Sequence, residues 1–183
     1  MILHLVRHGP THAKGMVGWT DLPADLSDTA ALARLSAHLP DVPVVSSDLI
    51  RAVTTADAIA DARPRLPHDA DLREIHFGQW EMQRHDQIDP ALSRRFWDAP
   101  GDVAPPGGES WNAMSARVAN AIDRLAQHTD EAIVVAHFGV ILSLLQRALG
   151  VTPQQVFAHK IDNLSVTRVN LRDKTAPLIN HNP

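Results

Sequence analysis

Arginine and histidine side chains follow three short apolar segments of this chain, at the point where each segment ends. Arg7 and His8 come directly after the first segment, and His137 comes directly after the third. Arg51 lies a few residues beyond the second. Guanidinium groups match the oxygens of a phosphoryl group, and an imidazole can donate a hydrogen bond or act as a nucleophile. If the fold brings the three segment ends together, these residue types indicate a phosphate site.

Each of these side chains also has an ordinary explanation. A histidine after a strand is most often a hydrogen-bonded loop residue, an arginine near the start of a helix is usually solvated, and a glycine after a strand usually makes a turn. The coincidence at three segment ends favours the phosphate site instead. Gly9 and Gly139, close to the two histidines, would let the backbone approach a ligand closely.

The three apolar segments are predicted to be buried strands because they are short, apolar and partly β-branched. They cover residues 2–6, 42–45 and 132–136. Helices are predicted over residues 27–39, from Ser47 onward, over residues 114–125 and 139–149, and from Thr152-Pro153 onward. A last strand is predicted over residues 165–171, with residues 178–179 as its candidate partner. Residues 64–110 are predicted to be mostly loop, with room for one short helix.

Strand and helix alternate through most of the chain. This alternation predicts an α/β fold, a three-layer αβα sandwich whose central sheet is mostly parallel and has helices on both faces. Such sheets bind ligands at the carboxyl ends of their strands. The four arginine and histidine side chains that follow the apolar segments belong to this edge.

The bulk composition is that of an ordinary globular protein, with 44% hydrophobic and 21% charged residues. The length of 183 residues predicts one domain over residues 1–183. A net charge of −4 gives no overall basic field, so neither nucleic acid nor a membrane is expected as a partner. No cysteine is present, which excludes disulfides and thiolate chemistry.

The N-terminal apolar run is too short for a signal peptide and lacks a basic region before it. No uninterrupted apolar stretch is long enough to span a bilayer. We therefore expect a cytoplasmic protein, either a monomer or a homodimer.

The spacing of His4, His8 and His12 by four residues could suggest a metal site. The segment is predicted to be strand followed by loop, so the three side chains would not share a helical face. The remaining histidines show no ligand spacing. We expect no metal and no cofactor.

Five ordered blocks of the sequence resemble the histidine phosphatase superfamily, the phosphoglycerate-mutase-like proteins. The blocks are residues 5–11 (LVRHGPT), 47–56, 72–81 (with LRE and FGQWE), 107–117 (with GGES and Arg117) and 134–139. Asn163, with Ser165 and Thr167, resembles a late block that is common among the phosphatases of the family. The resemblance covers nearly the whole chain.

The resemblance implies a two-step mechanism. His8 would attack phosphorus in line and form a phosphohistidine, while Arg7, Arg51 and His137 would bind the equatorial oxygens and offset their charge. For this attack the imidazole must be neutral, with its second nitrogen held by a backbone carbonyl.

Glu74 is implied as the acid–base residue of the same mechanism. It would protonate the departing oxygen and later activate water, and a nearby dianion should raise its pKa. Glu81 is a competitor in the same block, and the ordinary explanation of Glu74 is a surface acid. Glu74 is preferred because the acid of the family lies just ahead of the Phe-Gly-x-Trp element, as Glu74 does.

Two further residues, Thr11 and Lys14, are candidates for substrate binding. Family members commonly carry asparagine five residues after the glycine of the RHG motif, and Lys14 stands there in this chain. A lysine could supply a cation to the phosphate or point to solvent. Ala30 similarly stands where the family usually has glycine.

The preferred function is that of a phosphatase acting on a small phosphorylated metabolite. Mutases of the family are longer and close extra segments over the substrate, whereas only a short region separates Glu74 from Glu109 here. Without such a lid, water reaches the phosphoenzyme and hydrolysis is favoured. Phosphoglycerate mutase-type transfer is the first alternative. A non-catalytic protein that binds a phosphorylated ligand is the second, although both His8 and Glu74 are present.

Overall fold

The structure is a computed structural model that describes residues 1–183, and its centre is a five-stranded sheet. The strands are β1 (Ile2–Arg7), β2 (Val44–Ser46), β3 (Glu131–Ala136), β4 (Val166–Asn170) and β5 (Thr175–His181). The helices are α1 (Thr29–His38), α2 (Ile50–Ala60), α3 (Pro90–Asp98), α4 (Trp111–Leu125), α5 (Phe138–Leu149) and α6 (Pro153–Val156). Short 3-10 turns cover Ala70–Leu72, Gly78–Trp80 and His85–Gln87.

The sheet has the strand order β2-β3-β1-β4-β5. Both β1 and β2 pair with β3 in parallel, whereas β4 is antiparallel to β1 and to β5. The backbone N–H of Leu164 donates to the carbonyl of Arg7 at 2.9 Å, so the chain enters β4 beside the carboxyl end of β1 and runs back. The predicted α/β fold is confirmed, with a sheet that is mostly but not fully parallel.

Helices cover both faces of the sheet. Leu3 and Leu5 of β1 pack into a large apolar cluster with α4 and α5, while Val6 belongs to a second cluster formed with α1 and α2. This division follows from the alternation of side chains along a strand, which directs successive residues to opposite faces. Each fully buried aliphatic side chain contributes about 1.5–3 kcal/mol to the free energy of folding.

Two predicted helix starts were wrong, the first by one residue and the second by three. Asp28 rather than Ser27 caps the first helix, which begins at Thr29, because the carboxylate of Asp28 accepts from the N–H of Ala31. The second begins at Ile50 rather than Ser47, and its first N–H donates to Asp21 at 2.7 Å. Asp21 comes from a distant loop, so local sequence could not reveal this cap.

Two predicted boundaries around α5 and α6 are confirmed. Thr152 caps α6 through its side chain, and Gly150 ends α5 with a φ of 66°, a conformation that suits glycine. The short helix expected within residues 64–110 is α3. None of the helices combines the length and the apolar character needed to cross a membrane.

Candidate active site

The ends of three parallel strands meet at one edge of the sheet. The backbone N–H of His8, directly after β1, donates to the carbonyl of Ala136 at the end of β3, at 3.0 Å. Ser47, directly after β2, donates to Val135 at 3.1 Å. The rings of His8 and His137 lie with their centroids 5.1 Å apart. The structure therefore brings together the segment ends that carry the predicted phosphate ligands.

The imidazole of His8 is buried and held in one orientation. Its Nδ1 lies 2.6 Å from the carbonyl oxygen of Gly9, so Nδ1 carries the proton and Nε2 is the unprotonated nitrogen. The backbone around it is tied by Asn163, which donates to the carbonyl of His8 at 2.7 Å, and by Thr55, which accepts from the N–H of Gly9 at 3.0 Å. Burial, together with the Arg51 charge, lowers the pKa of His8 to about 3. The imidazole is thus neutral at physiological pH, the state that a nucleophile requires.

The buried guanidinium of Arg51 and the half-buried guanidinium of Arg7 both act on this imidazole through their charge. Arg51 donates to the carbonyls of Thr20 and Gly18 at 2.9 and 2.6 Å, and Arg7 donates to the carbonyl of Ile161 at 2.6 Å. These bonds anchor each guanidinium at one side. The pKa of both arginines is lowered from its ordinary value by burial, and the charges of nearby carboxylates oppose this shift only in part.

Four buried nitrogen atoms of this cluster have no hydrogen-bond partner. They are Arg7 Nε, Arg51 Nε and both ring nitrogens of His137. A buried donor without a partner costs about 1–3 kcal/mol, so such atoms are rare unless a ligand uses them. His137 stands immediately before α5, and burial followed by the neighbouring His8 lowers its pKa well below the ordinary value. A neutral imidazole carries one N–H, so His137 and the two arginines together offer three such donors, which fit an anion with several oxygens.

Glu74 lies against the start of α5. Its carboxylate accepts from the N–H of Gly139 at 3.0 Å and from its neighbour Ile75 at 2.9 Å. Burial raises its pKa, opposed by these hydrogen bonds and by the charges of Arg51 and Arg7. A buried carboxyl group whose pKa is raised can retain a proton for donation.

Glu81, the competitor of Glu74, has a different environment. Its carboxylate accepts from the N–H groups of residues 18–20, from the hydroxyl of Thr20 and from the N–H of Phe77. Burial acts to raise its pKa, but these hydrogen bonds prevail and the pKa is lowered. Its oxygens are occupied by the loop whose carbonyls anchor Arg51. Glu81 is therefore a structural carboxylate that supports Arg51, a role that no local pattern in the sequence indicates.

The two less central candidates lie apart from these hydrogen bonds. Lys14 is exposed and lines an open depression with Arg84, His85 and Asp86, and Thr11 is half-buried with no side-chain hydrogen bond. Their substrate-binding roles stay predictions.

The evenly spaced histidines have separate partners. His4 pairs with Glu131 and His12 with Asp25, both at 2.8 Å, while His8 lies in the site. No group of three or more histidine, cysteine, aspartate or glutamate side chains is placed to hold a metal ion.

Two further residues act on the site without having been assigned a role from sequence. Arg117 forms an ion pair with Glu109 at 2.8 Å and donates to the carbonyl of Glu74 at 3.3 Å. Trp19 donates to the same carbonyl through its indole N–H at 2.8 Å. Arg117 and Glu109 belong to a block of the family resemblance, whereas nothing in the sequence indicated Trp19.

The fold and the site agree with a comparison against protein families. Residues 3–182 match the model of the histidine phosphatase superfamily, branch 1. The chain belongs to this family.

Two individual relatives carry the names of phosphatases. The chain is 31% identical to the adenosylcobalamin/alpha-ribazole phosphatase of Escherichia coli over 97% of this chain and 94% of the relative. It is 34% identical to the glucosyl-3-phosphoglycerate phosphatase of Mycolicibacterium vanbaalenii over 81% of this chain and 74% of the relative. Among solved structures, Bacillus stearothermophilus YhfR superposes with a TM-score of 0.84 and 28% identity, covering 96% of this chain and 93% of that one. Together with the family assignment, these relatives identify the chain as a phosphatase.

Proposed function

We propose that the chain is a phosphomonoesterase that hydrolyses a small phosphorylated metabolite through a phosphohistidine on His8. The observation that carries the proposal is the neutral imidazole of His8, whose Nδ1 is held by a backbone carbonyl. Arg7, Arg51 and His137 surround it with unpaired nitrogen atoms, and the buried acid Glu74 lies near the two arginines. The arrangement contains a nucleophile, cations for the phosphoryl oxygens and a group that can give and take a proton.

The first step transfers the phosphoryl group to the enzyme. The Nε2 atom of His8 attacks phosphorus, a P–N bond forms, and the bond from phosphorus to the leaving oxygen breaks. Glu74 gives its proton to that oxygen, and the product alcohol departs. Arg7, Arg51 and His137 bind the other phosphoryl oxygens, where negative charge must be stabilised in the transition state.

The second step returns the enzyme to its starting state. Glu74, now ionised, takes a proton from a water molecule whose oxygen attacks phosphorus. The P–N bond breaks, inorganic phosphate leaves, and the electron pair returns to Nε2 of His8. Because the same carboxyl group acts as acid and then as base, its protonation state is restored at the end of each turnover.

For the substrate we propose α-ribazole 5′-phosphate as the first candidate. The run of residues 77–82 (FGQWEM) and the segment from His137 to Leu145 resemble α-ribazole phosphatase. The Escherichia coli relative carries that name, and the mycobacterial relative makes glucosyl-3-phosphoglycerate the second candidate. Phosphoryl transfer between phosphoglycerates is the alternative reaction.

The test is phosphate release by the purified chain, with a chelator present, across a panel of metabolite phosphates that includes both candidates and a generic aryl phosphate. We expect hydrolysis by the wild type, none by His8→Ala, and an acid-labile, base-stable phosphoryl adduct on His8. Undiminished turnover by His8→Ala would refute the nucleophile assignment. Transfer between phosphoglycerates that is faster than hydrolysis would support the mutase instead.

We also propose that the enzyme acts in the cytoplasm on a small-molecule substrate, as a monomer or homodimer and without a nucleic-acid or membrane partner. The net charge of −4 supports the absence of polyanion binding. Cell fractionation and sedimentation of the purified chain test these expectations.

A further inference from the structure

The segment that carries Glu74 belongs to no strand, and Arg117 supplies hydrogen bonds that a sheet would otherwise provide. Its guanidinium donates to three backbone carbonyls of the segment. These are the carbonyls of Asp71 at 2.7 Å, Arg73 at 3.1 Å and Glu74 at 3.3 Å. One side chain on α4 therefore fixes the main chain on the N-terminal side of the acid.

Glu109 completes this clamp from the other side. Its two carboxylate oxygens accept from Nε and Nη2 of Arg117 at 2.9 and 2.8 Å, a bidentate geometry in which both side chains are mostly buried. Oxygen Oε2 of Glu109 also accepts from the N–H of His76 at 3.2 Å, and the N–H of Glu109 donates to the carbonyl of His76 at 2.8 Å. The main chain is thus held both before and after Glu74.

Trp19 is the third member of the clamp. Its indole N–H donates to the Glu74 carbonyl at 2.8 Å, and its ring lies under the guanidinium groups of Arg73 and Arg117, at 4.9 and 5.9 Å. A charged group over an indole face is attracted by the ring quadrupole. The ring therefore links the Glu74 carbonyl to the two arginines.

The position of the Glu74 carboxylate leaves little tolerance for movement. A Cβ atom at Gly139 would lie 2.4 Å from Oε1 of Glu74, so the carboxylate packs closely against the start of α5. The same carboxylate accepts from the N–H of Gly139. A shift of the main chain at Glu74 would change the distance from the carboxyl group to the leaving oxygen.

We propose that Arg117, with Glu109 and Trp19, positions Glu74 for proton transfer to the leaving group. The inference rests on the proposed function. Arg117 is a positioning residue that acts through the main chain of Glu74, and its contribution belongs to the leaving-group side of the reaction. Glu81 differs from Arg117 because it holds the whole loop of residues 18–20, which anchors Arg51 and also carries Trp19.

The test compares two substrates that differ in their need for an acid. Departure of 4-nitrophenolate requires little protonation, whereas departure of glycerol from glycerol phosphate requires a well-placed acid. The value of kcat/KM reports on the free-energy barrier between free enzyme with free substrate and the transition state of the first irreversible step. In this reaction that step is the departure of the leaving group. For Arg117→Met we expect kcat/KM to fall about 100-fold on glycerol phosphate and less than about threefold on 4-nitrophenyl phosphate, because a misplacement of about 1 Å can cost about 100-fold.

Arg63→Met is the matched control. Arg63 also donates to several backbone carbonyls, including those of Pro40 and Leu39 at 2.7 and 2.8 Å, but it ties α1 to α2. This variant should lower thermal stability and leave the ratio of the two kcat/KM values unchanged. Arg117→Lys, which keeps the charge and part of the hydrogen bonding, should recover part of the loss.

Trp19→Phe keeps the test decisive if Arg117→Met does not fold. It removes the indole N–H that reaches the Glu74 carbonyl and leaves a smaller aromatic face under Arg73 and Arg117. Both changes loosen the clamp alone, so we expect the same dependence on the leaving group with a loss of about tenfold on glycerol phosphate. An equal loss on both substrates, or no loss on either, would overturn the positioning role. A wild-type enzyme inactive on both substrates would instead overturn the proposed function on which the inference rests.

Discussion

The two sides of the candidate site are built in different ways. On the phosphate side, His8 and His137 follow parallel strands directly, so the backbone ladder of the sheet sets their positions. On the leaving-group side, Glu74 lies in an irregular segment whose carbonyls are held by the side chains of Trp19 and Arg117. A sheet edge places residues by a general rule, whereas a segment of this kind depends on specific side chains from elsewhere in the chain.

Burial also acts in opposite directions on the protonation of the two sides. It disfavours the charged form of every group, so it lowers the pKa of His8 and His137 and raises that of Glu74. The same desolvation thus yields a neutral imidazole that can attack and a carboxyl group that can keep its proton. The two roles of nucleophile and acid follow from one physical cause.

Loss of a phosphate-side cation should have the largest effect among the changes that test this division. We expect Arg51→Met to lower kcat/KM by about 1000-fold or more, and equally on alkyl and aryl phosphates, because the oxygens that Arg51 binds are common to all substrates. Steady-state kinetics on both substrate types measures this. Arg172→Met, at an exposed arginine, is the control and should be unchanged. A loss confined to one substrate type would remove Arg51 from the phosphate side.

Loss of the acid should have a smaller and selective effect. We expect Glu74→Gln to lower kcat/KM by about 100- to 1000-fold on an alkyl phosphate and by about tenfold or less on 4-nitrophenyl phosphate. Glu81→Gln is the matched carboxylate control. Because Glu81 holds the loop of residues 18–20, which anchors Arg51 and carries Trp19, its loss should lower kcat/KM on both substrates and be far less selective than the loss of Glu74. If Glu81→Gln showed the selectivity and Glu74→Gln did not, the two assignments would have to be exchanged.

The smallest expected effect is on the pH dependence of the free energy of unfolding, and its sign is opposite for His8 on the phosphate side and Glu74 on the leaving-group side. Between pH 6.5, the ordinary pKa of histidine, and the pKa of about 3 that His8 has in the folded chain, His8 is protonated in the unfolded chain and neutral in the folded chain. The free energy of unfolding therefore falls as pH decreases through this window, by up to about 1.4 kcal/mol per pH unit for each such histidine. Glu74 acts oppositely, because its raised pKa gives stability that is lost as pH rises above the ordinary value of 4.5.

Urea denaturation at several pH values between 5 and 7 measures these contributions. We expect His8→Asn to reduce the amount by which the free energy of unfolding falls as the pH is lowered from 7 to 5. The reason is that the substitution removes a group that titrates only in the unfolded chain over this range. Glu74→Gln should instead remove the loss of stability that accompanies rising pH above 4.5. A pH slope unchanged by His8→Asn would show that His8 is not held neutral in the folded chain.

The sequence by itself determined the α/β fold and the grouping of Arg7, His8, Arg51 and His137. Short apolar strands alternating with helices form a mostly parallel sheet, and the carboxyl ends of parallel strands share one edge. Residues that directly follow such strands, or lie in the first turn of the next helix as Arg51 does, are therefore placed together by a rule that needs no knowledge of side-chain packing.

Only the tertiary structure distinguished the environments of the two glutamates and revealed what holds them. Glu74 is buried against the start of α5, whereas the oxygens of Glu81 are taken by the N–H groups of residues 18–20. The start of α2 likewise depended on Asp21, a residue far away in sequence. Burial and hydrogen-bond partners are properties of contacts between distant segments, and they set both the pKa of a carboxyl group and the position of its main chain.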